Sequence, residues 1–226
     1  MRRDVASQHS IRRILRDNGL SLTLLIFFAV FLAGQLVAGH RAFNEDQREH
    51  GQAPVSLGEY VRGSHFAEAT AENWESEFLQ MAAYVWLTAF LFQRGSAESN
   101  DPDGRDRKRP PPPPRRMPWA ARRGGLVRKV YERSLSLAFA LLFVVSFSVH
   151  AVAGAARYSS EQLAHGGPAV GTWAYVRTAQ FWFESFQNWQ SEFLAILSMI
   201  VLSIFLRHEG SPESKEVERP HAETGT

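Results

Sequence analysis

Residues 20–39 read LSLTLLIFFAVFLAGQLVAG, a run without a charged side chain. At about 1.5 Å per residue a helix of this length matches a hydrocarbon core of roughly 30 Å. Residues 134–156 form a second such run, uncharged until Arg157. Two further apolar stretches, Phe78 to Phe92 and Phe193 to Leu206, are shorter and would reach only about 22 Å as helices. Polar, helix-compatible residues precede each, and with them a tryptophan, Trp74 or Trp189, expected as an interfacial anchor at headgroup depth. This predicts that both helices begin earlier, within the polar stretches. A secretory signal fits the first run poorly, although Arg12-Arg13 precede it and Val37-Ala38-Gly39 resembles a cleavage site. The run is longer than a signal's apolar region, and a similar one recurs mid-chain.

The chain has 226 residues, and the segments between the apolar runs hold most of its 25 Lys+Arg and 23 Asp+Glu. Such unevenness argues against a single water-soluble core. The absence of cysteine excludes a disulfide framework, thiolate metal sites and a cysteine nucleophile. A formal charge of only +2 argues against nucleic acid as the main partner.

Residues 16–99 align without a gap to residues 131–214, with about a third of positions identical. Leu20-Ser21-Leu22 recurs as Leu135-Ser136-Leu137, Val37-Ala38-Gly39 as Val152-Ala153-Gly154, His50-Gly51 as His165-Gly166, and Tyr60-Val61-Arg62 as Tyr175-Val176-Arg177. The densest match is Asn73-Trp74-Glu75-Ser76-Glu77-Phe78-Leu79 with Asn188-Trp189-Gln190-Ser191-Glu192-Phe193-Leu194. Gly95 and Gly210 open the matching GSAES and GSPES segments, and each suits a helix C-cap. Two spans per unit is an even number, so both units enter the membrane from the same side as parallel repeats.

The expected organisation is a first two-helix repeat over 1–99, a Pro/Arg-rich linker over 100–125, a second repeat over 126–214 and a disordered tail over 215–226. Five arginines precede Leu20, twelve basic residues lie between Gln93 and Arg133, and three follow Leu206, against five in the two inter-helix loops. The first loop is also acidic, with Glu45, Asp46, Glu49 and Glu59. The positive-inside rule therefore puts both termini and the linker in the cytoplasm. Arg109 to Arg116, with its run of prolines, reads as an extended spacer, or alternatively as a docking site for a proline-recognising domain.

Asn73, Glu77, Gln80, Tyr84 and Thr88 share one helical face. Asn188 and Glu192 repeat only its outer part, followed by Ala195, Met199 and Ser203. Near a helix start these groups suit capping and the macrodipole. An ionisable group in a span is otherwise a site candidate, and then Glu77 and Glu192 would bind a cation or proton, with Gln35 and His150 as partners. Gly34/Ala38 and Ala151/Ala155 are small-residue pairs suited to helix packing. The aromatics from Trp173 to Phe186 suggest an amphipathic helix on the outer membrane surface. His40, His50, His65 and His165 lack a helical ligand spacing and suggest no metal site, and the two His-Gly pairs read as turns. Motifs for catalysis or a cofactor are absent, which favours a non-enzymatic protein without one.

The paired NWESEFL and NWQSEFL motifs, the His-Gly turns and the GSAES/GSPES stops resemble a bacterial integral-membrane family known only as a domain of unknown function. The resemblance covers Arg12 to about Thr226 and implies an inner-membrane protein, without an activity or a ligand. The expected architecture is all-α, with four transmembrane helices as two tandem parallel-repeat hairpins and partly helical external loops. Expected partners are the bilayer and a second copy or another membrane protein. The expected role is a structural or stress-related membrane component; the alternative is a small transporter or channel subunit using Glu77 and Glu192.

Overall fold

Charge-free runs in the sequence become long helices in the computed structural model, which describes residues 13, 15–103 and 117–225. In chain order the helices are α1 (Gly19–Glu49), α2 (Leu57–Arg62), α3 (Ser64–Leu87), α4 (Trp119–Arg123), α5 (Gly125–Tyr131), α6 (Ser134–Ala164), α7 (Thr172–Tyr175) and α8 (Ala179–Phe205). No strand forms among the described residues. Three helices, α1, α6 and α8, are long and apolar enough to cross a membrane. The carboxylates Glu68, Glu72, Glu75 and Glu77 lie along α3, which does not meet that composition. The chain divides into two compact units, residues 1–66 and 67–226.

In the first unit, α1 continues well past the apolar run, and its 31 residues extend about 46 Å. Its C-terminal end organises the following loop. Asn44 accepts from Val55 N at 2.7 Å and donates to Val55 O at 3.0 Å, so one carboxamide pairs with both polar groups of that backbone unit. Ser56 and Glu59 then form a reciprocal capping box that starts α2. Tyr60 is buried, with its hydroxyl in the space that a Cβ on Gly39 would need. His50 ends α1 and is followed by Gly51 at φ 72, where a side chain would be strained.

The second unit joins α3, from Ala67 onward, to α6 and α8. Gln80 on α3 donates to the Glu192 carbonyl of α8 at 3.2 Å, and the Trp189 indole of α8 donates to Glu75 of α3 at 3.1 Å. Both α3 and α8 begin inside the polar stretches that precede their apolar segments. They stop earlier than the glycines suggest. Helix α3 ends at Leu87, ahead of Gly95, and α8 ends at Phe205, ahead of Gly210. Beyond α8, Arg207 folds back and donates to the carbonyls of Ser203, Ile204 and Leu206. It satisfies the last turn without a glycine cap.

Two other expectations change. The aromatic loop is not one interfacial helix: Tyr175 lies in the four-residue α7, whereas Phe181 to Phe186 belong to α8. The reason is burial, because Tyr175 and Phe181 point inward and form a core with Ala151 and Ala155. The tail is also ordered through Gly225 as a series of hydrogen-bonded turns. Lys215 holds it, its ammonium donating to the carbonyls of Gly95, His221 and Glu223. The polyproline run lies within residues 104–116, outside the described residues. The end of the expected spacer is helical, with Arg123 over the Trp119 ring at 5.4 Å.

Candidate functional site

A cluster of charged and polar side chains occupies the interior where α3, α6, α7 and α8 meet. Helix α3 supplies Glu68 and Glu75, both buried, and the half-buried Glu72. Helix α6 supplies His150, fully enclosed, and Arg157. Tyr175 comes from α7, and Glu184, Asn188 and Trp189 come from α8. Glu68, Glu72 and Glu75 recur at intervals of four and three, which brings them to one face of α3. His150 and Arg157 are separated by two turns of α6 and share a face in the same way. Gly154 lies between them. A Cβ there would stand 2.6 Å from Tyr175 Cε1 and 2.9 Å from Glu68 Oε1, so the missing side chain makes room for both groups.

The hydrogen bonds are specific. His150 Nδ1 lies 3.0 Å from Glu75 Oε2. An ionised carboxylate only accepts, so Nδ1 carries the proton and donates. The other Glu75 oxygen accepts from the Trp189 indole. Arg157 donates from Nε to Glu68, from Nη2 to Glu184 at 2.8 Å and from Nη1 to Glu161 at 2.6 Å. The Tyr175 hydroxyl donates to Glu184 and lies 3.4 Å from Glu68. Burial chiefly, and then the hydrogen bond to Glu184, hold the Tyr175 hydroxyl protonated well above the ordinary tyrosine range. Gln180 donates to Glu184, and Asn188 donates to Glu72. The Phe181 ring stacks on the imidazole at 4.8 Å and covers one face of it.

One buried atom in this network lacks a hydrogen bond: His150 Nε2. It faces Glu184 Oε2 at 3.5 Å, within the range of an ion pair but beyond a good N–H···O bond. Charge is unbalanced too. Glu68, Glu72, Glu75 and Glu184 surround a single guanidinium, Arg157, and one imidazole. Such an excess of carboxylate in a low-dielectric interior requires protons or a cation. Glu68, His150 and Glu184 each offer a ligand atom, and these atoms all lie within 4.8 Å of one another.

The residues expected from sequence are distributed differently. His150 is at the centre. Trp189 is a hydrogen-bond donor to Glu75 as well as an aromatic flank, and Asn188 ties Glu72 to α8. Asn73 and Glu77 are exposed, and Glu192 is half-buried within electrostatic reach of Glu77. The Asn73 carboxamide bonds to Ala69 O of its own helix. Trp74 is exposed. Gln35 belongs to the first unit, on α1. Farther along the α3 stripe, Tyr84 donates to Glu98 and Thr88 bonds back to Tyr84 O. Sequence reasoning missed Glu68, Glu72, Glu75, Arg157, Tyr175 and Glu184. The available signal was the three-four spacing of the carboxylates together with an arginine placed immediately after an uncharged run.

Residues 11–226 match the sequence model of a family described as a domain of unknown function (DUF6766). No curated protein and no solved structure matches the chain.

Proposed function

The chain belongs to that family, whose description assigns no activity, and we propose that it is a non-enzymatic, multi-pass component of a bacterial cytoplasmic membrane. The observation that supports this is the inverted distribution of polarity. In the second unit the carboxylates, His150 and Ser185 are inside, while Leu141, Val145, Val152, Leu194, Leu197 and Leu202 are exposed. Water would favour the reverse, whereas a bilayer rewards apolar exteriors and confines ionisable groups to protein interiors. The first unit likewise exposes Leu24, Phe27 and Phe31 along α1.

In this reading the protein crosses the bilayer four times, as two tandem hairpins with both termini in the cytoplasm. Helix α3 accompanies the three more apolar helices because its acidic face is satisfied by His150, Arg157 and Asn188 rather than by lipid. Matching local geometry supports a duplication. Gly39 makes room for Tyr60 and Gly154 for Tyr175. Val55 N donates to Asn44 and Val170 N to Ser159. His50 and His165 each place Nδ1 against the carbonyl four residues earlier. The charged cluster fastens α3, α6 and α8, and the apolar outer faces meet lipid, a second copy or another membrane protein. The transporter alternative at Glu77 and Glu192 has less support, because Glu77 is exposed and the enclosed ionisable groups lie elsewhere.

Reporter fusions test the arrangement. Fusions at the 100–125 linker and at the C-terminus are expected to report cytoplasm, and fusions after His50 and His165 the outside. An external linker, or a purified chain that stays monodisperse in buffer without detergent, overturns it.

A further inference from the structure

We infer that Glu68, His150 and Glu184 form a binding site for one divalent transition-metal cation, of the class that accepts mixed imidazole and carboxylate ligands. The inference goes beyond the membrane reading and does not depend on it.

The orientation of His150 is the first reason. Its Nδ1–H is committed to Glu75, whose second oxygen is fixed by the Trp189 indole. Metal-bound histidines are commonly held this way, with a carboxylate on the ring nitrogen that does not bind the metal. In the neutral imidazole with Nδ1 as the donor, Nε2 carries a lone pair, and that atom is buried without a hydrogen-bond partner. Its neighbour, Glu184 Oε2, offers only lone pairs in return.

Distance is the second reason. Two ligands bound at about 2.1 Å to a tetrahedral ion lie roughly 3.4 Å apart. The separation between His150 Nε2 and Glu184 Oε2 is 3.5 Å, poor for a hydrogen bond and suited to two ligands of one ion. The third ligand atom, from Glu68, falls within the same 4.8 Å group.

Arg157 does not occupy the position. It takes Glu68 Oε2 and Glu184 Oε1; of the other two oxygens, Glu184 Oε2 accepts from the single Tyr175 O–H and Glu68 Oε1 lies 3.4 Å from that hydroxyl, so each keeps a lone pair for an ion. A dication offsets most of the carboxylate excess that Arg157 leaves, and a nitrogen-and-oxygen ligand set suits Zn²⁺, Co²⁺ or Mn²⁺ rather than a thiolate-seeking ion.

The test uses the full-length chain in detergent micelles, stripped with chelator and titrated with Co²⁺, with ligand-field absorption as the readout. One ion per chain is expected. His150→Ala and Glu184→Gln abolish the signal, Glu75→Gln weakens binding about 10–100-fold, and His50→Ala, in an exposed turn, leaves it unchanged. X-ray absorption on the Zn²⁺-loaded wild-type chain is expected to show a single imidazole among oxygen ligands, and this decides the matter even if the variants fail to fold. No ligand-field signal with Co²⁺ in excess, undiminished binding by a folded His150→Ala chain, or a shell with two or more imidazoles overturns the inference. Because the readout is ion binding, it can fail while the topology of the reporter fusions stands, and the reverse.

Discussion

Gly154 on α6 and Tyr175 on α7 are fitted to each other: the tyrosine ring occupies the volume that any side chain at 154 would need. Alanine is the better helix former by about 1 kcal/mol, so Gly154→Ala would stabilise α6 if packing were indifferent. The ring cannot retreat easily, because Tyr175 is fully buried against Phe181 and Tyr158. Overpacking of this kind costs about 1–3 kcal/mol. Gly154→Ala is therefore expected to lower the thermal midpoint in detergent, while Gly34→Ala, with open space around it, leaves the midpoint unchanged or raises it. Equal behaviour of the two variants would refute the packing argument.

Arg157 is the only guanidinium contacting Glu68 and Glu184 among the described residues. Arg157→Met removes the partner of two buried carboxylates and is expected to cost about 3–5 kcal/mol. Adding Glu68→Gln to that background should restore part of the loss, since one stranded charge disappears. Thermal denaturation of the two single variants and the double variant measures the coupling. Strictly additive losses would mean that the pair does not interact.

The apolar helices were legible because a span announces itself locally, in one uncharged run such as residues 20–39. The starts of α3 and α8 were legible for a related reason, since a short apolar run next to Trp74 or Trp189 predicts a helix that begins in the polar stretch before it. The buried cluster was not legible. Glu75 and His150 are 75 positions apart, as are no two residues whose pairing periodicity can detect. Within the NWESEFL motif, moreover, helical phase decides which carboxylate is buried. Glu75 turns inward and Glu77, two residues on, turns outward, a difference of roughly 200° around the helix. The internal alignment points elsewhere, because it matches Glu77 with Glu192, whereas Glu75 falls opposite Gln190 and Glu184 opposite Ala69. The ordered tail was hidden for a similar reason: the ammonium of Lys215 is satisfied by backbone carbonyls, which leave no mark in side-chain chemistry.

The capping box at α2 carries a pH dependence. The Ser56 hydroxyl, and secondarily its backbone N–H, donates to Glu59 and lowers the Glu59 pKa below its ordinary value. A carboxylate lowered on folding contributes stability above its unfolded pKa and loses that contribution as the pH falls through the folded one. The protection of the amides across Leu57–Arg62, taken relative to the intrinsic exchange rate at each pH, is thus expected to fall on acidification below the ordinary glutamate range. Ser56→Ala should raise exchange at neutral pH and flatten the dependence. An unchanged acid profile in that variant would remove the box as its cause.

Lys215 gives the last expectation. Its side chain is 1% exposed and donates to Gly95 O, His221 O and Glu223 O, so one ammonium joins the turn after α3 to the end of the chain. Two further bonds reinforce this junction, from Gly95 N to the Thr224 hydroxyl at 2.9 Å and from Gly225 N to Ser96 O at 3.0 Å. Lys215→Met keeps most of the buried stem but strands the carbonyls, each at a cost of about 1–3 kcal/mol unless water replaces the donor. Replacement by water requires the tail to open. The variant is therefore expected to be cut by protease within residues 216–226 far faster than the wild-type chain, with the thermal midpoint of the second unit little changed, because α6 and α8 keep their own contacts. Equal cleavage rates would show that the tail is held without the lysine.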